Sequence, residues 1–96
     1  MKTLDRLPIQ YDLAPENLRG GLERWIEHGI EPGSFLTAFL SNDLMRSLAM
    51  ADETNRTQLH ALGLWLYNHA PALCFGSPER VEGWIKMHQE GKTEAS

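Results

Sequence analysis

Asn42, Asp43, Asp52 and Asn55 come nearest, by type and spacing, to a reactive site in this chain. Two carboxylates sharing a cleft with a positioned base or a metal can drive hydrolysis. Asp43 and Asp52 are the two aspartates that could form such a pair, with Glu53 the one other acid close by. Arg46, Arg56 and Tyr11 complete a set of candidate interaction residues around this polar cluster. A second account of the same residues is capping. Short polar side chains accept hydrogen bonds from the unpaired N–H groups that open a helix. Ser41, Asn42 and Asp43 stand in a row, as helix junctions favour, and capping is the better fit.

Other chemistry has weaker support. His28, His60, His69 and His88 form no i, i+4 histidine pair, and no HExxH motif is present, so no metal ligand is assigned. Cys74 as a nucleophile would need an activating histidine; His69 lies five residues away, beyond Pro71. A lone cysteine in an apolar connector more often packs in a core. Ser77 sits in Gly-Ser-Pro, which is not a nucleophile elbow. No glycine-rich phosphate loop and no EF-hand loop occurs. The sequence assigns no catalytic residue, no metal and no cofactor.

The elements that must position these residues are all helical. Leu18, Leu22, Trp25 and Ile26 make one apolar stripe over a helix from Pro15 to His28, ended by Gly29. Ile30-Glu31-Pro32-Gly33 suits a type II turn, after which Ser34 would cap the next helix. Leu36, Leu40, Leu44 and Leu48, each four apart, continue one stripe. They fit either a single helix from Phe35 to Met50 or two helices broken at Ser41-Asn42; the three cap formers favour the break. Asp52 (or Thr54 or Asn55) would open a helix reaching His69, with Leu59, Leu62, Trp65 and Leu66 inward and Leu64 and Tyr67 widening the stripe. So broad an apolar surface implies packing on more than one side, or a remainder left for a partner or a dimer seam. Ser77-Pro78-Glu79 restarts the chain as a last helix from Pro78 to Gln89, ended by Gly91. Trp25, Trp65 and Trp84 each fall on an apolar stripe and read as core.

The expected architecture is all-α: a compact orthogonal bundle of four to five short helices. An N-terminal extended arm (1–14) precedes a single helical domain (15–90) and a disordered tail (91–96). Pro8 and Pro15 bracket the alternating Ile9, Tyr11 and Leu13, and Leu4 and Leu7 would help pin the arm.

With 96 residues and a hydrophobic fraction of 42%, one small core is within reach. The net charge of -4 comes from 9 basic and 13 acidic residues, and the basic ones are scattered. That gives no phosphate-tracking stripe, and the Asp52–His69 helix carries only Arg56 as a cation, a poor groove reader. Nucleic acid is therefore disfavoured as a partner. The single Cys74 suits a reducing, cytoplasmic setting. No signal-type apolar region and no membrane-spanning run is present.

Four stretches have a fingerprint character: RWIEHGIEPGSFLTAFLSNDL (24–44), ADETN (51–55), WLYNHAP (65–71) and GSPERV (76–81). They resemble a family of small phage and prophage proteins that carry no assigned activity. The resemblance spans residues 18–85 and implies a phage or mobile-element origin in a host cytoplasm, without supplying any catalytic residue. The resulting expectation is a non-enzymatic accessory protein that binds a host or phage protein, as a defence or regulatory factor. A small enzyme or nucleotide-binding module built on the Asn/Asp cluster is the alternative, and helix-turn-helix DNA binding a third reading. A homodimer is compatible with all of them.

Overall fold

The computed structural model describes the backbone of residues 9–95 and the side chains of residues 9–90. Six α-helices and three single-turn 3-10 segments make up these residues. The helices are α1 (Arg19–His28), α2 (Ser34–Leu40), α3 (Leu44–Met50), α4 (Glu53–Arg56), α5 (Leu59–His69) and α6 (Pro78–Ala95). This is the small all-α bundle the apolar spacing predicts.

The inward stripe of α1, the Leu62, Trp65 and Leu66 face of α5 and Trp84 of α6 are those read from the sequence. Leu22, Trp25 and Ile26 of α1 and Leu62, Trp65 and Leu66 of α5 are buried, as are Val81 and Trp84 of α6. The tryptophans do more than fill space. A buried indole N–H needs an acceptor, and each finds a distant backbone carbonyl. Trp84 Nε1 donates to Trp25 O at 3.0 Å, Trp25 Nε1 to Cys74 O at 3.1 Å, and Trp65 Nε1 to Gln10 O at 3.0 Å. The first two tie α6, α1 and the Ala72–Cys74 turn into one unit; the third fastens the N-terminal segment to α5.

Several boundaries depart from expectation. Residues 9–14 do not run extended: Tyr11–Leu13 is a 3-10 turn. Arg19 closes it, donating from Nη2 to Asp12 O at 2.7 Å and from Nε to Ala14 O. Tyr11 packs against Trp65 with the rings tilted and their centroids 5.7 Å apart, and Ala14 is buried. The rest of the expected arm, with Leu4 and Leu7, lies outside the described residues. The type II turn is absent because Gly33 has φ -67 rather than a positive value; Gly33, not Ser34, precedes the first turn of α2. The helix expected from Asp52 to His69 is two. After one turn α4 ends at Thr57 and Gln58, and α5 begins at Leu59. Gly91 does not end α6, whose backbone continues as helix to Ala95. An interior glycine costs about 1 kcal/mol in a helix but stops it only where the backbone turns left-handed.

Gly29 is such a stop. Its φ is 69, its N–H reaches Trp25 O, and Ile30 N–H reaches Arg24 O. A Cβ there would lie 2.6 Å from the Cβ of His88, so the α1 cap and α6 are in direct contact.

Candidate functional site

The polar island between α2 and α3 is built from two caps placed back to back. Asn42 has φ 65, the one positive value at a non-glycine residue among those described. With Asn42 left-handed, its N–H donates to Phe39 O and the Asp43 N–H to Ala38 O, the paired closure of a Schellman motif. Asp43 then opens α3, its Oδ1 accepting from Arg46 N at 3.2 Å. Gly76 N–H takes Leu40 O at 2.7 Å, so the last α2 carbonyls are satisfied. The sequence locates this break correctly, and of the three cap formers Asp43 is the N-cap of α3.

The break changes which residues face inward. The leucine stripe expected to run through Leu44 and Leu48 does not continue, because a left-handed residue resets the helix phase. α3 turns Ser47 to the core, fully buried, with its Oγ donating to Leu44 O at 2.7 Å. Its large apolar residues are exposed instead: Leu44 58%, Met45 74%, Leu48 40% and Met50 46%. Leu44, Met45 and Leu48 share one side of the helix, and Met50 stands one turn beyond Arg46.

The four residues of the polar cluster do not converge. Asp43 caps α3 and Asp52 caps α4, on either side of α3, whose seven residues rise about 10 Å. Asp52 Oδ1 accepts from Asn55 N at 2.7 Å, as an N-cap should, and Asn55 Oδ1 accepts from Asn17 Nδ2 at 2.9 Å. Arg56 is exposed at the end of α4. Tyr11 is elsewhere again, donating to Glu27 Oε2 at 2.8 Å; burial first, then that hydrogen bond and the Glu27 charge, push its phenol well above the usual range. Asp43 and Arg46 share a cavity. It is an open cleft of about 380 Å³ that also meets Glu31, Thr37, Ser41 and the start of α6 at Pro78. Thr37 Oγ1 there is already committed to Pro32 O at 3.0 Å.

Cys74 is fully buried, and desolvation pushes its thiol up to about 12. That is the reverse of an activated thiolate. His69 instead stacks on Trp65, with ring centroids 6.0 Å apart. Among the described residues no group of three or more His, Cys, Asp or Glu side chains is placed to hold a metal ion. No helix among them is long and apolar enough to cross a membrane.

Sequence reasoning missed Ser47 as the inward residue of α3 and the outward turn of Leu44, Met45 and Leu48. The signal was there: a cap at residues 41–43 makes the later leucines a new count rather than a continuation. Comparison of the chain with protein-family models, with curated proteins and with solved structures finds no match.

Proposed function

We propose that this chain is a non-enzymatic accessory protein of phage type that binds a host or phage protein, and that α3 is its contact surface. One observation carries the reading. α3 is fastened at its N-terminal end by the Asn42–Asp43 caps and followed by the Asp52 cap of α4, yet its only buried residue is Ser47. An isolated seven-residue helix is unstable in water. Here caps and packing on α2 hold it with three large apolar side chains facing out. Exposed apolar surface of this kind marks interaction sites, and methionine adapts to the shape of a partner. The phage origin, and with it a host-cytoplasm setting, rests on the resemblance of the four sequence stretches. A defence or regulatory role accords with a small protein that acts by occupying another.

The test is affinity capture from an infected or lysogenic host, wild type against Leu44→Ser/Met45→Ser. The double variant keeps its helical circular dichroism and loses the captured protein. Equal capture by both, or no specific capture by wild type, overturns the reading.

A further inference from the structure

A second apolar surface, which includes no α3 residue, lies in the groove between the Ala72–Cys74 turn and α6. It has a volume of about 300 Å³ and is lined by Leu73, Gly83, Trp84 and Met87, with Glu79 and Arg80 at one end. Leu73 and Met87 are both exposed. Gly83 forms an open notch, where an added Cβ would meet nothing within 4 Å.

Arg80, Gly83, Met87 and Glu90 follow one another at i, i+3, i+7 and i+10, the spacing that keeps residues on one side of a helix. All four are exposed. Read backwards, the stripe is its own complement. An identical helix laid antiparallel, with Met87 set against Gly83, brings Glu90 against Arg80, and the two-fold repeats both contacts. A flexible thioether meets a notch, and a cation meets an anion, twice each. The Arg80 guanidinium is already oriented: Nη1 donates to Ala72 O at 3.0 Å and to Phe75 O at 3.4 Å. Its remaining N–H groups are left for a carboxylate, the geometry in which arginine binds best.

We infer that this stripe is a self-association surface whose occupant is the same stripe of a second copy, giving an antiparallel, two-fold symmetric α6 pair. Symmetric contacts of this type are the commonest in small assemblies, because one surface supplies both halves. The stripe from Arg80 to Glu90 provides a seam about 15 Å long within the eighteen residues of α6. This inference is independent of the α3 reading.

The test uses the full chain in sedimentation equilibrium over a wide concentration range. Wild type shows a monomer–dimer equilibrium that weakens as salt rises. Gly83→Gln fills the notch at a position with free space in the monomer, and Glu90→Lys sets like charges across both ends. Each should raise the dimer dissociation constant about tenfold or more, with helical content unchanged. Leu44→Ser/Met45→Ser should leave the dimer intact. Cross-linking fixes the orientation: a mixture of the Gly83→Cys and Met87→Cys chains forms a disulfide-linked pair on mild oxidation, and either alone forms far less. A wild-type monomer at every concentration overturns the inference. So does a dimer indifferent to both α6 variants, or equal cross-linking in the unmixed samples.

Discussion

α2 and α3 are neighbours of the same length and similar composition, and they face opposite ways. Each has seven residues, rich in leucine with methionine or phenylalanine. α2 buries Phe35, Leu36, Ala38 and Leu40, whereas α3 buries only Ser47. Hydrophobicity therefore does not decide which helix enters this core. The phase at which each helix starts decides it, and the backbone of Asn42 and Asp43 sets that phase. An apolar helix turned outward by a built junction is a surface the fold presents, rather than a failure to bury it.

The largest test of this contrast is a pair of truncations. Leu40→Ala should destabilise by about 2–5 kcal/mol, as for a buried leucine, and Leu44→Ala by about 0.5 kcal/mol or less. Urea unfolding of both variants reads the difference, and equal effects would break the comparison. Next, Ser47→Leu forces a bulky group into the one inward position of α3 and should cost about 1–3 kcal/mol by overpacking. A stabilised variant would show that α3 can rotate to a leucine-inward packing. Third, Asn42→Val strains a left-handed position and should cost about 1–2 kcal/mol, while Asn42→Gly should be neutral or slightly stabilising. Asp43→Ala, losing the cap to Arg46 N, should lower stability by about 1 kcal/mol. The smallest effect is at Met45, where Met45→Ser should leave the unfolding midpoint nearly unchanged and yet reduce capture of the partner.

Much of this fold is legible in the sequence where side-chain spacing alone decides. The α1 stripe, the inward faces of α5 and α6, the caps at Asp52 and Ser77, and the stop at Gly29 all follow from local rules. Ser77 Oγ, for example, accepts from Arg80 N at 3.1 Å. What the sequence hides is phase and continuity. Leu36, Leu40, Leu44 and Leu48 keep a four-residue spacing across a break that makes it meaningless. Thr57 and Gln58 interrupt an apolar helix without a proline or glycine to mark the place. The candidate site divides in the same way. The local cap at Asp52 is readable, but the separation of Asp52 from Asp43 depends on how α3 is laid between them. The apolar breadth of the segment ending at His69 pointed to a leftover surface. Leu64 and Tyr67, read as widening the core stripe, are exposed instead, so α5 is not packed on that side.

The three indole hydrogen bonds also bear on how the chain finds its fold. They join residues 49, 55 and 59 apart in sequence, while the α2–α3 caps join near neighbours. Closing such wide loops is entropically slow, whereas helix turns form early. The outward-facing α3 hairpin would then be shaped before the tryptophans lock. In kinetic language, Trp25→Phe and Trp84→Phe should chiefly hasten unfolding and leave the folding rate nearly unchanged.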